Sequence, residues 1–225
     1  MDEHELLLNE WSRRPRHIGR AFIKDGIIDK PRWSGTTEKV LLLLKEAYGG
    51  NGESWDLREH IRTYGVTGTW KKAAWWCYAA HHAMRGVALP PFDDGDATRA
   101  AAEECFLSSA IVNVKKSDGK NPSDDEDVAS YVRSDGDLIC RQVELINPDI
   151  VISGNVWWCC KELWPEANRV YDLALLVGRR IFIDYWHFAN HQFPNQLNYY
   201  TIGCLIQNVV RCRESAPPPH SSDRR

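Results

Sequence analysis

The sequence predicts an α/β fold, a three-layer α/β/α sandwich on a central, mainly parallel four-stranded sheet. Three observations predict it. Four apolar runs, at 39–44, 109–114, 149–153 and 180–184, are continuous instead of alternating, the pattern of strands covered on both faces. Segments of helical composition separate the runs, as the crossovers of parallel strands require. The chain of 225 residues is long enough for one domain with a substantial core.

In chain order, residues 1–34 read as an irregular, partly helical N-terminal extension and residues 35–212 as the domain proper. Residues 213–225, "RESAPPPHSSDRR", read as a Pro/Ser-rich disordered tail. The first strand, "KVLLLL", runs into "KEAYGGNGESW", a loop with glycines at 49, 50 and 52. Helices follow at 55–63, at 70–85 (stopped by Gly86) and at 97–107. After the second strand, a helix over 124–146 opens on Ser123-Asp124-Asp125-Glu126, which fits a capping box. "NVWWCCKELW" (155–164) makes a short helix after the third strand and stops at Pro165. A weaker run, 171–177, fits either a strand or a short helix, and 195–212 makes the final helix.

The formal charge of -3 gives no overall attraction to nucleic acid, so any phosphate contacts must come from local clusters. These are "RRPRHIGR" (13–20), Lys115 with Lys116 and Lys120, and Arg179-Arg180. No run approaches about 18 apolar residues, so no membrane span is predicted. The acidic start "MDEHELLLNEW" lacks the cationic region of a secretion signal. Seven cysteines without a CxxC pair read as reduced thiols of a cytoplasmic protein. Ten tryptophans supply rings for the core and for stacking on bases or sugars.

In open parallel sheets ligands sit at the carboxyl ends of the strands. The first strand ends in Glu46, the second carries Asn113, the third ends in Ser153-Gly154, and the fourth leads into "DYWHFANHQFP" with His187 and His191. Each residue alone has a plain structural reading, as a cap partner, a turn former or a core histidine. Together they bring a carboxylate, an amide and an imidazole to one rim. His187 and His191 also have the i,i+4 spacing of a metal pair. Pro194 and the loop-like composition oppose the helix that pair needs, and no third ligand stands out, so no metal is expected. "AYGGNG" is not G-x-G-x-x-G, and nucleotide binding gains no support from it.

These stretches resemble the uracil-DNA glycosylase superfamily across residues 39 to 208, most closely the branch whose first motif is Gly-Glu-x-Pro-Gly. "LLLLKEAYGG" is similar to that motif, "AIVNVKKSDGKNPSDDED" to the Asn-containing second strand and its loop, and "LICRQVELINPDIVISG" to the helix–strand–glycine stretch. "YWHFA" stands where the family has His-Pro-Ser or His-Pro-Ala. The departures are Lys45 for the Gly, Tyr48 for the Pro and Phe188 for the Pro after the histidine. Ser117 stands where a cluster cysteine is expected, and the other cysteines lack cluster spacing, so neither an iron–sulfur cluster nor another cofactor is expected.

The resemblance implies a monofunctional DNA glycosylase that flips a pyrimidine out of the helix and hydrolyses its N-glycosidic bond, leaving an abasic site. It assigns catalysis to Glu46, which orients water and favours the sugar cation, and to His187, which donates to the base O2. It gives Asn113 the Watson–Crick edge, with an amide that can turn to suit a uracil-like or a cytosine-like base. Trp55 is expected to stack on the base, with Tyr48 and Ala47 beside it. Lys115, Lys116, Lys120, Gly154 and Asn155 are expected on the DNA, and Phe188, Gln192 and Phe193 as wedges for the gap the base leaves. The altered loops point to a modified target, a bulky phage-type cytosine such as glycosylated hydroxymethylcytosine, removed in antiviral defence. Ordinary uracil excision in DNA repair is the alternative, with an inactive DNA-binding member as a third reading. The partner is double- or single-stranded DNA, bound by a monomer away from membranes.

Overall fold

The N-terminal residues fold into α1 (Glu3–Ser12), the two-residue strands β1 (Ile23–Lys24) and β2 (Gly26–Ile27), and α2 (Lys30–Gly35). Asp2 caps α1, its carboxylate accepting from the Glu5 N–H at 3.0 Å. The first long strand is β3 (Val40–Glu46). Beyond it come β4 (Trp55–Asp56), α3 (Leu57–Tyr64), α4 (Trp70–Met84) and α5 (Asp96–Leu107). Then follow β5 (Ala110–Lys115), α6 (Asp125–Ile146), β6 (Ile150–Gly154) and α7 (Trp157–Cys160). β7 (Asn168–Tyr171), β8 (Ala174–Val177), β9 (Arg180–Tyr185) and α8 (Asn195–Ser215) complete the chain. The structure, a computed structural model, describes residues 2–189 and 193–215.

The fold is mixed α/β on a mainly parallel central sheet. All four continuous apolar runs are strands, and they lie side by side as the parallel centre β5-β3-β6-β9. The sheet itself has seven strands, in the order β2-β5-β3-β6-β9-β8-β7, where four were expected. Both margins are antiparallel additions. The run at 171–177 proves to be a turn and the second strand of a hairpin. Its punctuation is local: Tyr171 faces Ala174 across Asp172-Leu173, and Gly178, at φ 57°, turns Val177 back onto Arg180. A register shift between Arg169 and Tyr171 interrupts the outer ladder.

Alternation along β3 feeds two cores. Val40, Leu42 and Leu44 are buried with residues of α3, α4, α5 and α8, whereas Leu41 and Leu43 are buried with residues of α1, α6 and α7. The N-terminal segment joins both cores: Leu7, Leu8 and Trp11 are fully buried in the second, and Ile23 and Ile28 are buried in the first. It also enters both sheets. β2 pairs with β5, and β1 pairs in parallel with β4, setting Ile23 against Trp55.

Several boundaries move for identifiable reasons. The helix expected at 55–63 starts at Leu57, because Asp56 caps it, accepting from the N–H groups of Arg58 at 2.9 Å and Glu59 at 3.4 Å. The cap of α6 is Asp124, not Ser123, and accepts from Glu126 and Asp127, both at 3.1 Å. The segment 155–164 is helical only over α7 before a single 3-10 turn, Lys161–Leu163. α8 extends through residues 213–215, and the rest of the expected tail lies outside the described residues. No described helix is long and apolar enough to cross a membrane.

Leu8→Ala should cost about 2–5 kcal/mol in urea unfolding, because it opens a hole in a closed core. A chain lacking residues 1–28 loses β2 as well and should show no cooperative transition. A sharp transition from that truncated chain would contradict this placement.

Candidate active site

The carboxyl ends of the parallel strands gather the chemistry. In the β3–β5 ladder Leu44 faces Asn113 and Glu46 faces Lys115. β6 ends at Gly154 opposite Tyr185, and His187 stands two residues beyond β9. Glu46, Asn113, His187, Trp55, Tyr48 and Phe188 all line one pocket of about 230 Å³. That is below the ~300–1,000 Å³ of drug-sized sites and suits a single planar ring. A larger hollow of about 480 Å³ lies between α4, α5 and the start of α8, but it shares no residue with this cluster.

The Glu46 side chain is fully buried. Lys115 Nζ lies 2.6 Å from its Oε2 in an ion pair that lacks the alignment of a hydrogen bond, and Oε1 has no partner among the described residues. A buried carboxylate oxygen with no donor among the described residues can accept one from a ligand. Lys115 also reaches Asp127 Oδ2 at 2.6 Å and the Asp118 carbonyl at 3.2 Å. Burial works against its charge, but the Asp127 and Glu46 carboxylates outweigh it and raise the pKa.

His187 is neutral. Burial, with a smaller push from Lys45, takes its pKa down to about 4. Its Nδ1 accepts from the Ala189 N–H at 3.1 Å, so the ring proton sits on Nε2. The ring stacks on Phe188 at 4.3 Å between centroids. Asn113 is buried too, and its Nδ2 and backbone N–H both donate to Asp25. The Trp55 ring lies over Gly50, where a Cβ would stand 2.5 Å from Cδ1, and φ at that residue is 75°. The Trp55 indole N–H is buried and has no partner among the described residues. Gly119 packs against the Ala47 carbonyl, which an added Cβ would meet at 1.7 Å, so the loops after β3 and β5 are locked together.

Other expected residues fall elsewhere. Lys115 and Lys116 are not phosphate contacts, because both are buried in ion pairs, Lys116 with Asp25 at 2.5 Å. Phe188 is no wedge: it is buried against Trp70 and Trp76 at 5.2 and 5.7 Å. Gly154 is buried beside Leu44 and His187, which withdraws it from DNA, whereas Asn155 is exposed. Lys120 and Phe193 are exposed, and Tyr48, which lines the pocket, is 58% exposed. Gln192 and His191 lie outside the described residues, among which no metal-holding group of His, Cys, Asp and Glu occurs. Sequence reasoning missed Asp25, whose signal was an acid inside the apolar "FIKDGII". It also missed His60, Thr69 and Trp70, which line the pocket from α3 and the start of α4 without a local signal.

No protein-family model matches the chain, and no curated protein matches its sequence.

His4 and His81 are buried as His187 is, and burial takes each to about 4 from an ordinary 6.5. A proton therefore binds these rings more readily in the unfolded chain. Their contribution to stability is complete above pH 6.5 and is lost as pH falls to about 4. The slope is up to about 1.4 kcal/mol per pH unit for each ring. Urea unfolding measured at stepped pH checks this, and a flat profile across the window would contradict three neutral histidines.

Proposed function

We propose that this chain is a monofunctional DNA glycosylase with a uracil-DNA glycosylase-like arrangement, hydrolysing the N-glycosidic bond of a flipped pyrimidine. The observation that carries the reading is the convergence of a buried carboxylate oxygen without a partner among the described residues, a neutral imidazole N–H donor and a fixed amide on one ring-sized pocket. The four sequence stretches that resemble that superfamily support it.

As the C1′–N bond breaks, positive charge grows on the sugar and negative charge on the departing base. The Glu46 carboxylate favours the cation and orients the water whose oxygen bonds to C1′. His187 Nε2–H meets the charge developing on the base O2. Such a preorganised donor typically contributes ~10²–10³-fold, and a neutral one leaves the base an anion to be protonated after departure. Hydrolysis, as opposed to attack by an amine, suits the site because Lys115 is held as an ammonium between two carboxylates. The mouth beside exposed Tyr48 and the glycines at 49, 50 and 52 leaves an exit for a substituent on the pyrimidine C5. A bulky phage-type base is the target this opening would accommodate, and plain uracil is the other candidate.

Glu46→Gln keeps the shape but removes the charge. Base release should fall by at least ~10²-fold while DNA binding survives, and His187→Ala should also slow the chemical step. Mass analysis of bases freed from unmodified, uracil-containing and hypermodified DNAs is the measurement. Unchanged release by both variants would remove the assignment. With Lys115 and Lys116 buried in ion pairs, two of the expected phosphate contacts are withdrawn. The slope of log K against log salt, about -0.9 per contact, should stay shallower than about -4, and a slope near -9 would contradict the surface described.

A further inference from the structure

Asp25, between β1 and β2, is completely buried and accepts four hydrogen bonds. Its Oδ2 takes the Asn113 backbone N–H at 2.8 Å and Asn113 Nδ2 at 3.1 Å. Its Oδ1 takes Lys116 Nζ at 2.5 Å and Gln142 Nε2 at 2.9 Å. An ionised carboxylate only accepts, so chemistry decides which end of the Asn113 amide faces it: the nitrogen. The same oxygen holds Asn113's own backbone N–H and so lies on the main-chain side of the amide, where it consumes the Nδ2 hydrogen directed back towards it. The pocket is left with Oδ1 and the other Nδ2 hydrogen, in a fixed order. The sheet fixes the direction of that order. β2 lies beyond β5, on the side away from β3, β6, β9 and His187. Nδ2 is therefore drawn to the β2 side, which leaves Oδ1 on the side of β3, β6 and β9.

Resting on the glycosylase reading, we propose that Asp25 is a positioning residue that locks the Asn113 amide and so selects the base by its edge. A pyrimidine whose O2 meets His187 presents N3 next and the C4 substituent last. Oδ1, on the side of β9, accepts from the N3–H of a 4-oxo pyrimidine, and Nδ2 donates to its O4. A 4-amino pyrimidine sets its bare N3 against Oδ1 and its amine against Nδ2, a mismatch at both atoms. Turning the amide to suit cytosine would break the Asp25 bond and leave buried groups unpaired. The freely turning amide expected from the sequence is thereby replaced by a fixed one. A modified base read by this site is a 5-substituted uracil, not a cytosine.

The test uses the full chain on matched oligonucleotides carrying uracil, 5-hydroxymethyluracil, cytosine or 5-hydroxymethylcytosine. It compares wild type with Asp25→Leu/Lys116→Met, which keeps approximate shape and charge balance. Leu at 25 offers no acceptor to Nδ2, so the Asn113 amide is free to turn. Wild type should favour the 4-oxo bases in kcat/KM by about 100-fold or more, and the variant should lose at least about tenfold of that ratio. Thermal melting confirms folding, and inhibition by free uracil against free cytosine gives a second reading of the same ratio. A wild-type preference for 4-amino bases overturns the proposal. So does a folded variant that slows both classes equally and keeps the ratio, the mark of a merely structural role. Release of no base from any DNA by wild type overturns the glycosylase reading itself, and this inference with it.

Discussion

The contact between Asp25 and Lys116 is the constraint around which the rest is arranged. Two opposite charges sit 2.5 Å apart with no exposure to solvent. Removing one partner of such a pair typically costs ~3–5 kcal/mol, because the other is left charged in a medium that cannot solvate it. Everything nearby is placed to prevent that. Gln142 from α6 completes the carboxylate, His4 from α1 stands 3.0 Å behind Gln142, and the Trp11 ring lies 4.8 Å from the ammonium. An N-terminal segment that reads in sequence as an irregular extension is in consequence tied to the domain by electrostatics as well as by its buried leucines.

The same contact links folding to chemistry. Asp25 pairs with a lysine through one oxygen and holds the Asn113 amide with the other. A second buried ammonium, Lys115, the last residue of β5, repeats the pattern between Glu46 and Asp127. The buried charges of the central parallel strands, Glu46 and Lys115, stand at the carboxyl ends. That is also the place where a ligand can enter.

The four central strands could be read from the sequence because continuous apolar runs have few other uses at that length. β1 and β2 could not, since two residues carry no period. The hairpin before β9 was ambiguous for a similar reason: Asp172 and Gly178 punctuate it more strongly than its short runs define it. Glu46, Asn113 and His187 were legible as the polar ends of apolar runs, and all three line the same pocket. Lys115 and Lys116 were misleading, because a lysine reads as surface until its partner is known. The partner of Lys116 is 91 residues away in sequence. Phe188 misled likewise: its place beside the histidine matched a loop tip, while its packing against Trp70 and Trp76 is a property of α4.

The margins of the sheet also determine how the molecule meets its own copies. An open edge with regular spacing is a template on which another chain can add a strand. Here one margin, β2, offers only two residues. The other, β7, is broken by the irregularity between Arg169 and Tyr171, and it carries a cation on its short length. Neither can guide an incoming strand over more than a few hydrogen bonds. A seven-stranded sheet rich in valine, isoleucine and leucine is thus kept from growing sideways into fibrils, and the protection comes from its two least regular strands.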